Sequence, residues 1–461
     1  MSVLAGFMVP HPPMIVPDIG KGDEERIIKT IKSYEKVADE VAELKPDVII
    51  ISSPHSVMYS DYFHISPGKK ATGSFRRFNA SNISFAEEYD SELVEKICRY
   101  TKEDDFPAGI LGEKDPELDH GVMVPLYFIR KKYKEGKIIR IGLSGLDLTD
   151  HYRMGMYIKR AVEELGRKAV YIASGDLSHK LQEYGPYGFV KEGPEYDERI
   201  MDVCSRGSFG ELFDFKEDFL DKAAECGHRS FVMMAGVFDG IAVKSEALSH
   251  EDVTGVGYGI CTFYPCGEDE NRRFLDLYEE KKLKELEDKK ERSDAYVRLA
   301  RQAVEYYVIK HKYLKIPEDI DKELLNRRAG TFVSIHKNDR LRGCIGTIEP
   351  VRDNIASEII GNAVSACSRD PRFTPIKPDE LKDLDISVDV LGEIEPISSK
   401  EQLDVKRYGV IVSCGHKRGL LLPDLEGVDT VDEQIDIARR KADIGPHESY
   451  SLSRFEVIRH Y

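Results

Sequence analysis

The chain has 461 residues and a formal net charge of −16, with 67 lysines and arginines against 83 aspartates and glutamates. Hydrophobic residues make up 41% of the sequence and charged residues 33%, a composition that is ordinary for globular proteins and excludes wholesale disorder. Two domains are the default at this length. The acidic balance argues against a module that binds duplex nucleic acid by neutralising its phosphates.

The eight cysteines are spread along the sequence and none forms a CxxC pair, so neither a zinc ribbon nor a redox dithiol is predicted. Sparse cysteines in a chain of this size indicate a reducing compartment, and we expect a cytoplasmic protein. The apolar run at residues 3–9 has no basic stretch before it and predicts a first strand, not a signal peptide. No apolar run approaches about 18 residues, so no membrane span is expected.

The first part of the chain alternates helical and strand patterns. Residues 24–44 repeat apolar side chains at helical spacing, and residues 47–52 form a β-branched run typical of a buried parallel strand. This alternation predicts an α/β domain over residues 1–267, with a layered, mostly parallel sheet flanked by helices. Further strands are predicted at residues 138–143, 169–173 and 255–264, and a helix at residues 154–165.

Residues 268–292 are mostly charged, with both signs mixed, which predicts a solvated helix that links two domains. We expect this helix to continue through residues 296–310 into a second unit, over residues 293–461. The second unit has short strand patterns and one helix, which predicts a smaller α+β domain. Its strands are predicted at residues 331–335, 386–391 and 410–413, and its helix at residues 354–367.

Three histidines follow predicted buried strands directly: His11, His55 and His179. In an open parallel sheet, ligands bind beyond the carboxyl ends of the strands, so these side chains are expected to converge on one crevice. Neutral imidazole is a good ligand for Fe(II), Zn(II) or Cu(II), and a histidine off the metal can move protons. Asp176, three residues before His179, is expected to orient that ring or to act as an alternate ligand.

The third metal ligand is left open among neighbours that precede an apolar helical pattern, namely Glu225, Cys226 and His228. A helix N-terminus favours an anionic ligand at this place. Glu225 would complete a set of two histidines and one carboxylate, whereas Cys226 would form a softer site that suits copper or zinc better. The residues alone do not choose between them.

Five short motifs are found in residues 1–267: Pro10-His11-Pro12-Pro13, Ser53-Pro54-His55, Asp119-His120-Gly121 with Val124-Pro125-Leu126, Asp176-Leu177-Ser178-His179, and Cys226-Gly227. Together they resemble the class III extradiol dioxygenase catalytic subunit (LigB) and the related Memo proteins. The resemblance implies that His11 and His55 bind Fe(II) with a later glutamate, that His179 is the acid/base and that His120 contacts the substrate. In Memo proteins the later position is a cysteine within Cys-Gly, as in this sequence.

The same resemblance implies a non-haem, metal-dependent oxidoreductase that cleaves an aromatic ring beside a diol with dioxygen. Fe(II) is the expected cofactor, with zinc or copper as alternatives, and a small aromatic molecule is the expected substrate. Two other functions stay open. One is a metal-binding protein without oxygenase activity, which Cys226 favours, and the other is a zinc hydrolase with His179 or Asp176 as base.

A cysteine between two glycines marks the second unit, in the segment Arg342-Gly343-Cys344-Ile345-Gly346. Glycines permit backbone conformations closed to other residues, and Arg342 would favour the thiolate of Cys344, so a nucleophile or an anion pocket is one interpretation. We favour the other, a glycine-rich strand crossing in which Cys344 is a small buried residue, because no histidine is obviously paired with the thiol. Cys414 and His416 are predicted to lie in a hairpin turn.

The run Leu341-Arg342-Gly343-Cys344-Ile345-Gly346-Thr347, with Asp370-Pro371-Arg372-Phe373 and Tyr408-Gly409-Val410, strongly resembles the AMMECR family over residues 285–461. The fusion of both halves resembles the two-domain proteins of AmmeMemoRadiSam systems, which pair these domains with a radical-SAM enzyme. This association implies a radical-SAM protein as partner in a modification pathway. A homo-oligomer stays open, and neither nucleic acid nor a membrane is expected as a partner.

Overall fold

The structure is a computed structural model and describes residues 2–338, 340–425 and 427–461. The chain forms two compact units, Met1–Glu279 and Glu280–Tyr461. The predicted domain bounds of 1–267, 268–292 and 293–461 stay a prediction. Within the described residues, every helix is too short or too polar to cross a membrane.

A mostly parallel sheet forms the centre of the first unit. Its strands run in the spatial order β7–β2–β8–β1–β10–β9, where the first four are mutually parallel and the last two pair antiparallel. The predicted α/β fold with a mostly parallel sheet is therefore confirmed. The strands of the unit are β1 (Val3–Val9), β2 (Val48–Ser53), β3 (Phe63–His64), β4 (Lys70–Phe75), β5 (Ala80–Glu88), β6 (Ala108–Gly109), β7 (Lys137–Gly142), β8 (Ala169–Ser174), β9 (Ile241–Glu251) and β10 (Tyr258–Glu268).

Helices cover both faces of this sheet. Successive side chains of a strand point to opposite faces, so Val48 and Ile50 of β2 enter one apolar core while Ile49 and Ile51 enter the other. Burial on both faces explains why this strand is continuously apolar. The helices of the unit are α1 (Pro17–Gly20), α2 (Ile28–Leu44), α3 (Ser91–Glu103), α4 (His120–Lys132), α5 (Leu148–Glu164), α6 (Glu192–Arg206), α7 (Glu217–Ala223) and α8 (His228–Val237). Helix α9 (Phe274–Arg292) begins in this unit and continues past its bound at Glu279.

The second unit is built on a seven-stranded antiparallel sheet with helices, so the predicted α+β class is confirmed. Six strands follow one another in the order β12–β11–β13–β17–β15–β16, and β14 pairs with β17. The elements are α10 (Ala295–Lys310), α11 (Lys322–Asn326), β11 (Thr331–Lys337), β12 (Arg340–Gly346), α12 (Ile355–Ser368), β13 (Leu384–Leu391), β14 (Glu395–Ile397), β15 (Tyr408–Cys414), β16 (Lys417–Leu421), α13 (Val431–Lys441) and β17 (Ser451–His460).

The expectation of one helix continuing through residues 296–310 is wrong. Helix α9 ends at Arg292 and α10 begins at Ala295. Between them, the carboxylate of Asp294 accepts hydrogen bonds from the N–H groups of Tyr296 at 2.9 Å and Val297 at 3.1 Å. An aspartate at this place satisfies donors that a new helix leaves free, so it starts a second helix instead of extending the first.

The glycines around Cys344 serve close packing. Gly343 lies in β12, which pairs antiparallel with β11, and neither Gly343 nor Gly346 has a positive φ. A Cβ atom at Gly343 would overlap the carbonyl oxygen of Ala366 in α12, and one at Gly346 would overlap the ring of Phe332. Glycine is therefore required at both positions because neighbouring atoms leave no room for a side chain. An unusual backbone conformation, the reason that the sequence alone suggested, is not present.

Replacing Gly343 by alanine is expected to loosen the second unit. The overlapping atom belongs to the backbone of α12, so a side-chain rotation cannot relieve the overlap. We therefore expect a loss of about 1–3 kcal/mol in the free energy of unfolding. Hydrogen–deuterium exchange of peptides from β11 and β12 in the full chain measures this loss. Gly445→Ala is the control, since its nearest neighbour is the flexible Glu448 side chain at 3.2 Å. Equal exchange in both variants would contradict the packing argument.

Candidate metal centre

The carboxyl ends of three parallel strands bring the site together. In the sheet β8 lies between β2 and β1, and all three run in the same direction. Beyond each strand end, one side chain of the site follows two positions later: His11 after Val9, His55 after Ser53 and Asp176 after Ser174. The Nε2 atoms of His11 and His55 lie 3.0 Å apart. Ring positions this close allow both imidazoles to contact one ion.

The loop that carries Cys226 reaches the same edge because two glycines face each other. A Cβ atom at Gly175 would overlap the Cα atom of Gly227. The N–H of Cys226 donates to the carbonyl oxygen of Asp176 at 3.4 Å, and the N–H of Asp176 donates to Sγ of Cys226 at 3.3 Å. The thiol sulfur thereby lies 3.7 Å from Nε2 of His11.

The donor atoms of His11, His55 and Cys226 fit a metal ion. For a tetrahedral ion with two imidazole nitrogens and one thiolate, ordinary bond lengths predict an N–N separation of about 3.3 Å and an N–S separation of about 3.6 Å. The observed separations, 3.0 Å and 3.7 Å, are close to these values. Asp176 and His179 form a second group of donors that shares the thiol of Cys226.

The hydroxyl of Ser174 sets the tautomer of His11. This hydroxyl donates to the carbonyl oxygen of Gly121 at 2.6 Å and lies 3.0 Å from Nδ1 of His11. Because its proton is already used, the hydroxyl oxygen accepts from Nδ1–H. Nε2 of a neutral His11 then carries the lone pair, on the side that faces His55 and Cys226. A metal ligand needs this tautomer.

Burial controls the charge of the site. It lowers the pKa of His11 to about 3, helped by the neighbouring His55, so His11 is neutral near pH 7. Burial also lowers the pKa of His120 to about 3 and raises the pKa of Asp176 to about 6. The pKa of the Cys226 thiol is raised well above its usual value for the same reason. In the protein alone, His11 and Cys226 are therefore neutral near pH 7.

Asp176 connects the loop after β1 with His179. Its Oδ1 accepts the backbone N–H of His11 at 2.7 Å, and its Oδ2 lies 4.0 Å from Nε2 of His11 and 4.0 Å from Nε2 of His179. The side chain of His179 is 24% exposed and stacks on Tyr187 with ring centroids 5.3 Å apart. His179 therefore lies at the solvent side of the group, where it can exchange protons with a bound molecule.

His120 begins α4 and stands beside the two other imidazoles. Its ring stacks on His55 at a centroid distance of 4.0 Å and lies 5.3 Å from the ring of His11. The preceding Asp119 caps the helix by accepting the N–H of Val122 at 3.2 Å. The hydroxyl of Ser53 also donates to Asp119, at 2.6 Å, so the end of β2 and the start of α4 are tied together.

Of the three candidates for the third ligand, the structure brings only Cys226 to the imidazoles. The carboxylate of Glu225 accepts the backbone N–H of His228 at 2.5 Å, at the start of α8, and burial raises its pKa to about 7. The ring of His228 is buried elsewhere, with Nε2 3.0 Å from the carbonyl oxygen of Leu212 and Nδ1 3.4 Å from the hydroxyl of Tyr196. Glu225 and His228 therefore serve the local fold.

Residues 5–261 match the family described as the catalytic LigB subunit of aromatic ring-opening dioxygenase, and residues 297–460 match AMMECR1. The chain belongs to the LigB family. It is a fusion of a LigB domain with an AMMECR1 domain, as the sequence motifs predict. The match to LigB agrees with the mostly parallel sheet and with the histidines at its carboxyl edge.

Relatives and solved structures resemble the whole chain or one part of it. A protein of Clostridium acetobutylicum is 43% identical over 468 residues, covering 100% of this chain and 99% of its own. A protein of Thermotoga maritima is 49% identical over 167 residues, which are 36% of this chain and 96% of that protein. An uncharacterized protein from Pyrococcus horikoshii, known as a crystal structure, has a TM-score of 0.34 and 31% identity, covering 36% of this chain and 88% of its own.

Sequence reasoning missed a buried arginine that supports the LigB site. Arg140 lies in the middle of β7 and is 1% exposed. It donates to the hydroxyl of Ser66 at 2.7 Å and to the carbonyl oxygen of Glu117 at 2.6 Å, and it lies 3.8 Å from the carboxylate of Asp119. The sequence does contain a signal for Arg140, since it is a charged residue within a run of isoleucines typical of a buried strand. A buried charge requires a partner, so this pattern indicates a buried polar network. Arg140 compensates the charge of Asp119 beside His120.

The candidate residues of the AMMECR1 domain, Arg342, Gly343, Cys344 and Gly346, all lie in β12. The N–H of Cys344 donates to the carboxylate of Asp370 at 2.9 Å, and its thiol accepts from Ser334 at 3.2 Å. The guanidinium of Arg342 donates to Glu380 and not to the thiol. Cys414 ends β15 and His416 lies in the turn before β16, as expected for a hairpin.

Separate substitutions of Cys226 and Glu225, the two neighbouring candidates for the third ligand, distinguish their roles. We expect Cys226→Ser to weaken metal binding by at least about tenfold, since loss of a direct ligand costs no less than loss of its outer-sphere support. Glu225→Gln keeps an acceptor for the N–H of His228 and is expected to leave metal affinity within about twofold of the wild type. Competition with a chromophoric chelator measures both affinities. If Glu225→Gln weakened metal binding more than Cys226→Ser did, Glu225 would be the third ligand.

Metal binding is expected to release about one proton per ion near pH 7. The thiol of Cys226 holds its proton because burial raises its pKa, whereas a metal binds the thiolate. His11 is neutral and has no charge-bearing proton to lose. Calorimetric titration in buffers with different ionisation enthalpies counts the released protons. Cys226→Ser should release close to none, and release that is unchanged in this variant would show that another group is deprotonated.

Proposed function

We propose that the LigB domain is a non-haem, metal-dependent oxidoreductase of the extradiol ring-cleavage type, with Fe(II) held by His11, His55 and Cys226. The observation that carries the proposal is the group of two imidazole nitrogens and one thiol sulfur at the carboxyl edge of the sheet. An Fe(II) ion in this place would supply Lewis acidity toward a diol and a meeting point for the diol and dioxygen. Family membership supports the same reaction class.

His179 is assigned the proton transfers of the reaction. Burial lowers its pKa, so the ring is neutral near pH 7 and free to accept a proton from a substrate hydroxyl. The carboxylate of Asp176 lies 4.0 Å from Nε2, too far for a hydrogen bond, and its charge stabilises the protonated form of this ring. His120, packed against His55, is assigned a contact with the substrate.

Aromatic side chains next to these histidines suit a flat substrate. Phe78 lies 5.6 Å from the ring of His120, and Tyr187 stacks on His179. Both present π-faces or edges against which a planar ring packs favourably. A small aromatic diol is therefore the substrate class that we assign to the site.

The proposal predicts oxygen consumption by the Fe(II)-loaded, anaerobically purified protein when catechols are added. We expect His179→Gln to lower kcat by about 10²–10⁴-fold, because a positioned acid/base contributes that much, while bound iron is unchanged. His11→Ala should lose the iron itself. An oxygen electrode and metal analysis give the two readings for each variant.

His64→Gln serves as the matched control. His64 lies outside the donor group, with Nδ1 3.0 Å from the carbonyl oxygen of Leu111. This variant should retain iron and oxygen uptake. Iron-loaded protein that consumes no oxygen with any catechol would refute the dioxygenase assignment, and zinc-dependent hydrolysis without oxygen would assign the site to a hydrolase instead.

A second candidate function is a metal-binding protein without oxygenase activity that works beside a radical-SAM enzyme. The observation that favours it is the thiol of Cys226 at the third ligand position, since thiolates suit softer ions than the carboxylate of a two-histidine, one-carboxylate site. A reducing, cytoplasmic location is part of this proposal, because the eight cysteines are sparse in a chain of this size and form no CxxC pair. Co-purification with a radical-SAM protein, together with metal binding and no oxygen uptake, would favour this candidate.

A further inference from the structure

We propose that the AMMECR1 domain binds the phosphate group of a small organic molecule in a cavity beside β12. The cavity has a volume of about 510 Å³ and lies wholly within the second unit. This volume is in the range of pockets that hold small molecules, roughly 300–1,000 Å³. Its wall combines the start of β12 with the turn that carries Arg372 and Phe373 and with the segment from Lys377 to Glu380.

Positive charge is concentrated in this cavity. Four cationic side chains line it against two carboxylates, Asp379 and Glu380, within a chain whose net charge is −16. Asp370, which pairs with Arg372 at 2.7 Å, is a third carboxylate, so one positive charge remains in excess and attracts an anion. The clustered cationic donors favour a phosphate monoester, with its three strong acceptor oxygens, over a carboxylate with two. The cations are Lys337, Arg342, Arg372 and Lys377.

Both guanidinium groups are held in place before any ligand arrives. Arg342 donates to Glu380 from Nε at 3.1 Å and from Nη2 at 3.0 Å, and its Nη1 donates to the carbonyl oxygen of Thr374 at 2.7 Å. Arg372 donates two hydrogen bonds to the carboxylate of Asp370, from Nε at 2.9 Å and from Nη2 at 2.7 Å. A fixed guanidinium loses little conformational entropy on binding, which favours recognition of a phosphate.

Donors remain available after these internal bonds are made. No described residue accepts a hydrogen bond from Nη1 of Arg372, and none accepts one from the ammonium of Lys377. A phosphate offers strong acceptor oxygens, and hydrogen bonds between ions are roughly twice as strong as neutral ones. Arg372 and Lys377 are therefore the two residues that we assign to direct phosphate contact.

The apolar part of the wall indicates an organic phosphate. The ring of Phe373 lines the cavity, with the guanidinium of Arg372 5.4 Å from its centroid. An aromatic face beside a cation binds a flat or apolar group attached to the phosphate. A long nucleic acid is disfavoured, because the net charge of the chain opposes a phosphate backbone outside the cavity.

Phenyl phosphate is the probe that tests the proposal, with the full chain in low salt and in both metal-loaded and chelator-treated forms. Lys377→Gln and Asp379→Asn form a matched pair, since both residues are exposed, line the cavity and lie two positions apart. Lys377→Gln should weaken binding about tenfold, and Asp379→Asn should strengthen it about threefold, because they change the local charge in opposite directions. Titration calorimetry measures the dissociation constants.

Lys406→Gln, at an exposed lysine outside the cavity, is the control and should bind as the wild type does. Inorganic phosphate should compete more weakly than phenyl phosphate, and benzoate should not compete. The proposal is overturned if the wild type shows no saturable binding, or if Lys377→Gln and Asp379→Asn bind equally well. Benzoate that binds as tightly as phenyl phosphate would also overturn it, because the site would then recognise the ring and not the phosphate.

Discussion

The candidate metal centre depends on the close approach of two backbone segments at Gly175 and Gly227. Only glycines permit this contact, because a Cβ atom on either residue would overlap the facing segment. The close approach places the thiol of Cys226, which lies in the loop before α8, beside the ends of three parallel strands. Without it, the sheet would supply imidazoles and a carboxylate but no sulfur. The neighbours of the two glycines, Asp176 and Cys226, are the residues that the contact joins.

Polar residues beneath the imidazoles support the site and hold His11 in the tautomer that a metal ligand needs. Ser174 fixes the tautomer of His11 because its own proton is used by a backbone carbonyl. Asp119 ties the end of β2 to the start of α4, and the buried Arg140 balances its charge. Ser174 ends β8 and Arg140 lies within β7, two strands whose other buried residues are apolar. Burying these polar groups is favourable only because each of them has a partner, so the support of the site is also part of the core.

The sequence predicted the parallel sheet and the meeting of His11 with His55, because both follow from where buried strands end. It could not identify the third ligand among Glu225, Cys226 and His228. The answer depends on which of these side chains hydrogen-bonds the free backbone N–H groups at the start of α8. There the carboxylate of Glu225 satisfies a backbone N–H, which leaves the thiol for the site. The break between α9 and α10 was readable from Asp294, whereas the packing of Gly343 against α12 is a tertiary contact.

The thiol and the buried imidazole respond to a metal ion in different ways. His11 is already neutral and oriented, so an ion bound at this candidate site would need no deprotonation of this ligand. Cys226 is protonated in the protein alone and would become a ligand only by losing its proton when an ion binds. Metal binding at this candidate site would therefore be more sensitive to pH and to the softness of the ion than with a carboxylate in the same place. A thiol in place of a carboxylate would thus change which ions the same two histidines retain, without any change in the sheet.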